Sequence, residues 1–202
     1  VKKRLPDAPV DSLRMVFDPA VVSKFADCGV MLLDSPTDVL AAALNYLGLD
    51  PDSKKTEDLQ KAAEVVKAVR PYVRKFHSSE YINALANGDI CLAVAWAGDA
   101  FQARNRARES GNGVDIGYVI PKEGALMWFD TMAIPKDAAH PDNAHKFIDY
   151  VLRPAVIAAI SNVVKYPNGN AAATPLVNAE IRNDPAVYPD AATKAKLFPN
   201  VV

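Results

Sequence analysis

The sequence contains few cysteines, and this scarcity limits how the chain can be cross-linked or bind metal. Cys28 and Cys91 are the only two among 202 residues. Two cysteines need histidine partners to form a structural zinc site, and the three histidines lie in other segments. Each cysteine opens an apolar run, CGVMLLD and CLAVAW, so both could lie at corresponding ends of neighbouring strands. Two buried thiols and one disulfide both fit the residues alone.

The sequence also lacks an excess of charge and a long apolar run. It has 23 lysines and arginines against 24 aspartates and glutamates, a net charge of −1, which argues against nucleic acid or anionic membranes as partners. No run approaches the ~20 apolar residues of a membrane span. The start, VKKRLPDAPVDS, lacks the apolar core of a signal peptide, so we expect a mature protein or a fragment.

Catalytic and cofactor motifs are missing as well. The sequence has no GxSxG elbow, no GxxxxGK[ST] loop and no HExxH pair. The GNG at 111–113 has only two of the glycines of a dinucleotide fingerprint, and it precedes a predicted strand instead of following one. His77 stands beside Ser78 and Ser79, where a helix cap is favoured over a nucleophile. These absences predict a protein that is not an enzyme and has no cofactor.

Apolar runs of strand length alternate with amphipathic helices, which predicts an α/β fold. The predicted strands are CGVMLL, ICLAVAW, VDIGYVIP and ALMWFDTMAIP. Ser78 or Ser79 is predicted to start a short helix, SEYINALANG. After Pro135 only helical patterns follow, so the sequence divides into an α/β part ending near residue 127 and a helical tail whose apolar faces need a partner surface.

Two tryptophans each lie close in sequence to an aspartate at a predicted strand end. Trp96 ends an apolar strand and Asp99 begins the next helix, where α/β sheets bind ligands. In the strand MWFDTM, alternation places Trp128 and Asp130 on the same face. A tryptophan ring beside a carboxylate suits an organic cation. The competing interpretations are a helix cap for Asp99, core packing for the tryptophans and, for Asp38, a first-turn acid stabilised by the helix dipole.

Four long segments resemble the periplasmic putrescine- and spermidine-binding proteins of bacterial polyamine ABC transporters. They are CGVMLLDSPTDVLAAALNYLG, FHSSEYINALANGDICLAVAWAGD, YVIPKEGALMWFDTMAIP and KYPNGNAAATPLV. The resemblance implies a two-lobed periplasmic binding protein fold of the crossed-over type, type II. Residues 1–127 would be the second lobe and 128–202 the crossover strand and carboxy-terminal helices that pack on the first lobe, most of which is absent.

The resemblance also implies a ligand set, a disulfide and a compartment. The ligand would be spermidine or putrescine, delivered to a membrane permease from the periplasm, and Cys28 would pair with Cys91. The larger ring at position 128, where the family has phenylalanine, favours spermidine. The implied ligand-binding residues are Trp96, Asp99, Trp128, Asp130, Tyr166 and, as the best match to a family glutamate, Asp38.

Two other functions remain open at this stage. The first is an enzyme acting on an amine in the same aromatic and acidic pocket, which would need a nucleophile, base or cofactor. The second is a structural or interaction domain whose tryptophans and aspartates are only core and cap residues.

Overall fold

The computed structural model describes residue 1 and residues 3–199. The predicted division into two parts also included residues 2 and 200–202, which lie outside the described residues. The chain forms two compact units, one of Val1–Met127 together with the segment from Asp190, the other of Trp128–Pro189. The predicted division assigned residues 128–202 to the crossover strand and carboxy-terminal helices.

The first unit combines short parallel strands with helices. Its helices are α1 (Arg14–Phe17), α2 (Pro19–Val22), α3 (Pro36–Tyr46), α4 (Thr56–Val69), α5 (Tyr81–Asn87), α6 (Ala97–Ser110) and α10 (Ala191–Lys194). Its strands are β1 (Val30–Leu32), β2 (Lys75–Phe76), β3 (Leu92–Ala93), β4 (Leu126–Met127) and β5 (Phe198–Pro199). Two 3₁₀ turns, Ser23–Phe25 and Arg70–Tyr72, complete the unit.

The core of the first unit is built around β1, the middle strand of a three-stranded parallel sheet. The strand order is β2-β1-β3, with Met31 opposite Lys75 and Val30 opposite Leu92. All three residues of β1 are buried, as expected for a parallel strand covered on both faces. The helices return the chain between parallel strands and supply most of the remaining core.

A second parallel pair, β4 with β5, lies in the same unit, and the loop before β4 is held tightly. The side-chain amide of Asn45 donates to the carbonyl oxygens of Glu123 and Gly124, at 3.1 and 3.3 Å. The Glu123 carboxylate accepts from the Ser12 hydroxyl and from the Leu13 N–H. Two separate segments of the first unit therefore fix the residues that lead into β4.

The second unit is helical. Its elements are α7 (Pro141–Val151), α8 (Pro154–Val164), the 3₁₀ helix Ala171–Leu176 and α9 (Ala179–Arg182). Its interior is formed by residues that are each at most 5% exposed, namely Ala158, Ser161, Ala173, Val177, Ile181 and Val187. In contrast, α7 has no buried residue, and Phe147 is 60% exposed. An apolar helix face is thus left uncovered within the described residues.

Among the described residues, no single helix is long and apolar enough to cross a membrane. Only α7 and α8 taken together meet that test of length and composition, and they are bent by 73° at the break between them.

Three strand predictions are wrong for most of their length, since of ICLAVAW (90–96) only β3, Leu92–Ala93, forms. Of the predicted strand 125–135 only β4 forms, and Phe129 beyond it is 72% exposed. The predicted strand at 114–121 has no counterpart among the described elements. A strand needs a neighbouring strand to receive its backbone hydrogen bonds, and in the described part of the chain β4 is paired only through Leu126 and Met127.

Candidate functional site

The candidate site lies at the carboxyl edge of the three-stranded sheet. Because β1, β2 and β3 are parallel, their carboxyl ends meet at the same edge, and each leads into the start of a helix. β1 is followed by α3, β2 by α5 and β3 by α6. Open α/β sheets bind ligands at this edge. It carries three of the six predicted ligand residues, namely Asp38, Trp96 and Asp99.

Trp96 and Asp99 are brought together by a third residue, Tyr81. The Tyr81 hydroxyl donates to Oδ2 of Asp99 at 2.6 Å and accepts from the backbone N–H of Trp96 at 3.4 Å. Tyr81 is fully buried, whereas Trp96 and Asp99 are half-buried. Asp99 lies in the first turn of α6, and Trp96 is the residue before the helix. The helix-cap interpretation of Asp99 is therefore wrong in detail, because the residue at the cap is Trp96.

Asp38 lies in the first turn of α3, and the residue as a whole is 8% exposed. Its carboxylate oxygens are not among the buried side-chain atoms that lack a hydrogen-bond partner. The start of a helix favours a negative charge. Asp38 thus adds a second carboxylate to this edge of the sheet.

The segment between β2 and α5 adds a residue that the sequence analysis did not assign to the site. The Ser78 hydroxyl is buried and has no hydrogen-bond partner in the described part of the chain. His77, not a serine, caps the turn, because its Nδ1 accepts from the N–H groups of Ser79 and Glu80 at 3.1 Å each. The prediction that Ser78 or Ser79 starts the helix is wrong, since α5 begins at Tyr81.

Charged neighbours hold the same turn. Lys75 donates to the Glu80 carboxylate at 2.5 Å, and this hydrogen bond lowers the pKa of Glu80. Nε2 of His77 lies 3.2 Å from the other carboxylate oxygen of Glu80. The turn that leads to Tyr81 is therefore anchored by an ion pair as well as by the His77 cap.

The other three predicted ligand residues belong to the second unit. Trp128 is 42% exposed, Asp130 is exposed and Tyr166 is half-buried. Tyr166 follows Lys165, which ends α8 with φ at 61°, a left-handed conformation that is uncommon for a residue other than glycine. Asn168 fixes the turn after it by donating to the Ser161 hydroxyl and accepting from the Asn170 N–H, both at 2.9 Å.

The predicted disulfide is confirmed. Cys28 and Cys91 are bonded, with their Cα atoms 5.7 Å apart. The two residues precede β1 and β3, and the Cys91 N–H donates to the Gly29 carbonyl at 3.0 Å, so neighbouring parallel strands bring the thiols together. Among the described residues, no group of three or more histidine, cysteine, aspartate or glutamate side chains could hold a metal ion.

A parallel sheet whose carboxyl edge carries an aromatic ring and two acids can hold an organic cation. A family model of bacterial extracellular solute-binding proteins matches residues 2–189, and the chain belongs to this family. The family consists of binding proteins and not enzymes. The α/β fold is that of the type II periplasmic binding proteins, as predicted.

The names of individual relatives give a narrower ligand class than the description of the family does. The chain is 52% identical over 193 residues to the putrescine-binding periplasmic protein PotF of Escherichia coli, with 95% of this chain and 52% of that protein covered. It is 50% identical over 192 residues to the putrescine-binding periplasmic protein SpuD of Pseudomonas aeruginosa, with the same coverage, 95% and 52%. The chain therefore spans about half the length of the curated relatives it matches.

A solved structure agrees with these relatives. The spermidine/putrescine ABC transporter substrate-binding protein PotD of Streptococcus pneumoniae matches with a TM-score of 0.78 and 25% identity, covering 100% of this chain and 58% of that one. The resemblance to polyamine-binding proteins noted in the sequence is confirmed.

Proposed function

We propose that this chain is the ligand-holding part of a periplasmic protein that binds putrescine or spermidine for uptake by an ABC transporter. The observation that carries the proposal is the pairing of Trp96 and Asp99 at the start of α6, on the carboxyl edge of the sheet. The names of the relatives supply the ligand class, and the hydrogen-bonded aromatic and acidic residues supply groups that can bind an organic cation.

A polyamine at neutral pH is a chain of methylenes with an ammonium group at each end. In the proposed mode, the ring of Trp96 covers methylenes or a cation, worth on the order of 1–2 kcal/mol for a desolvated cation over a ring. Asp99 accepts a hydrogen bond from one ammonium, and the Asp38 carboxylate and the buried Ser78 hydroxyl offer further acceptors. The Ser78 hydroxyl then gains a partner that the described residues do not provide.

Three further proposed ligand residues belong to the second unit. Asp130 would be the counter-charge of an ammonium group, with Trp128 and Tyr166 as aromatic walls. An uncharged chain of the same length is rejected because it leaves the acids unpaired. No bond in the ligand is made or broken.

The proposal also accounts for the half of the relatives' length that this chain does not span. We infer that residues 1–127 form the second lobe and that the region after 127 carries the chain to a first lobe supplied elsewhere in the full protein. The uncovered face of α7, with Phe147 60% and Leu152 51% exposed, suits a helix that packs on another domain. A disulfide agrees with an oxidising compartment such as the periplasm.

Calorimetric titration of the full-length protein with putrescine, spermidine and a neutral diol of similar length tests the proposal. We expect both polyamines to bind and the diol not to bind. Asp130→Asn should weaken binding by about 3 kcal/mol or more, because an ammonium loses its counter-charge in a desolvated site. Asp142→Asn, which removes an exposed acid from the first turn of α7, is the matched control and should bind as the wild type does.

Three results would contradict the proposal. Binding of the diol as tightly as the diamine would exclude recognition by charge. Consumption of the polyamine during the titration would indicate an enzyme. No heat and no change in melting temperature with either polyamine would leave a structural or interaction domain as the better interpretation.

A further inference from the structure

We propose that Tyr81 is the positioning residue of the polyamine site, acting through Asp99 and Trp96 without touching the ligand. This inference rests on the proposed function and deepens it. Tyr81 is fully buried, so its side chain is not available to a ligand at the sheet edge. Its effect on binding is therefore exerted through the two residues that its hydroxyl contacts.

Two hydrogen bonds of the Tyr81 hydroxyl join the residues that the ligand is expected to contact. A hydroxyl can donate one hydrogen bond and accept others. Here the donated bond goes to Oδ2 of Asp99 at 2.6 Å, and the accepted bond comes from the Trp96 N–H at 3.4 Å. The short bond to a carboxylate is the stronger kind, because the acceptor is charged.

The two oxygens of the Asp99 carboxylate have different roles in this arrangement. Oδ2 is occupied by Tyr81 and fixes the rotation of the side chain. From the described residues, Oδ1 receives only a contact of 3.5 Å from the Gln102 amide, which is at the limit of a hydrogen bond. Oδ1 thus keeps most of its capacity to accept, and an ammonium group is the donor that best matches it.

Tyr81 can orient its partners because its own position is held from several sides. It is the first residue of α5, and the turn before it is capped by His77. The helix then packs closely on α6, with Ala86 of α5 and Ala103 and Ala107 of α6 sharing one buried cluster. Small side chains at this contact keep the two helices close together, so the distance between Tyr81 and Asp99 is fixed by packing.

A purely structural role for Tyr81 makes a different prediction. If the residue only fills the core, phenylalanine should serve equally well, since the ring is retained and only the hydroxyl is lost. If the hydroxyl positions the site, Tyr81→Phe should leave the fold intact and weaken binding. The loss should also depend on the Asp99 carboxylate, which the hydroxyl orients.

The test is a double-mutant cycle in the full-length protein, with putrescine and spermidine affinities measured by calorimetry. The variants are Tyr81→Phe, Asp99→Asn and the two combined. We expect Tyr81→Phe to bind polyamine about tenfold more weakly, the loss typical of one hydrogen bond to a charged group. In the Asp99→Asn background the same change should alter affinity by about twofold or less.

Tyr46→Phe is the matched control. Tyr46 is a partly buried tyrosine at the other end of α3, in contact with Phe17, and its replacement should not change affinity. Wild-type affinity in Tyr81→Phe, or an equal loss with and without the Asp99 carboxylate, would overturn the role given to Tyr81 while leaving the polyamine site standing. Failure of the wild type itself to bind either polyamine would instead reject the proposed function, and this inference with it.

Discussion

The carbonyl oxygen of Lys196 occupies the space where a β-carbon on Gly124 would lie. Gly124 also has a φ of +111°, a backbone conformation that side chains rarely allow. The contact holds the loop before β4 against the segment before β5. Only glycine fits there, for steric and for conformational reasons.

Gly124→Ala should therefore destabilise the first unit by about 2–4 kcal/mol, because the new methyl group meets backbone and the φ angle becomes strained. Denaturant unfolding measures the change. Gly117→Ala is the control, since no atom lies within 4 Å of its added methyl group and its φ is outside the left-handed region. Equal stability of the two variants would mean that the β4–β5 contact relaxes at no cost.

Removing the Cys28–Cys91 bridge should lower the free energy of unfolding. The bond closes a sequence separation of 63 residues, and chain entropy then gives a loss of about 4 kcal/mol. Unfolding of Cys28→Ser/Cys91→Ser in denaturant measures this loss, and the wild type unfolded with a reductant present should lose a similar amount. A loss below about 1 kcal/mol would show that the unfolded chain gains little freedom when the bond is absent.

Asp38→Asn should weaken polyamine binding by about tenfold or more, since a buried acceptor loses its charge. The measurement is calorimetric titration of the full-length protein. Glu57→Gln, in the first turn of α4, removes one negative charge from a comparable helix position away from the sheet edge. If both variants bind alike, Asp38 is only a helix-terminal acid.

Trp128→Phe should shift the preference of the protein from spermidine towards putrescine. The expectation follows from the larger stacking surface of tryptophan, which suits the longer ligand. The ratio of the two dissociation constants, measured for both proteins, should change by about threefold or more. An unchanged ratio would place the origin of the preference at other residues.

Asp18→Asn should lower thermal stability at neutral pH and have no effect in acid. The hydrogen bond from Arg14 lowers the pKa of Asp18, whose carboxylate also caps α2 by accepting from the Ala20 N–H. A depressed pKa contributes stability above the ordinary aspartate value of about 4 and loses it as pH falls below that value. Asparagine keeps the cap without the charge. Melting curves from neutral to acid pH should converge, and a constant gap would contradict the assignment.

Local pattern was enough to predict Trp96 and Asp99 as a pair, because the end of a strand and the start of a helix are both encoded within a few residues. Tyr81 was not found, since its link to Asp99 depends on how α5 packs against α6. Ser78 was interpreted as a helix start, and its buried hydroxyl became visible only once neighbouring strand ends were placed. The pairing of Cys28 with Cys91 came from family resemblance, while the residues alone left two states open.

The segment around Asp130 shows the opposite error. Its apolar residues indicated a buried strand, yet Phe129 is 72% exposed beyond β4. Hydrophobic alternation identifies residues that need covering, but it does not identify the surface that covers them. For this segment and for α7, that surface is not among the described residues.

The amino and carboxyl edges of the three-stranded sheet have different roles. Cys28 and Cys91 fasten its amino edge covalently, and the Arg74 guanidinium adds hydrogen bonds there to the carbonyl oxygens of Asp27 and Asp89. The opposite edge carries Asp38, Trp96 and Asp99. Substitutions at the proposed ligand edge can accumulate without loosening the cross-linked one, so the scaffold is well suited to acquire new ligand specificities while remaining folded.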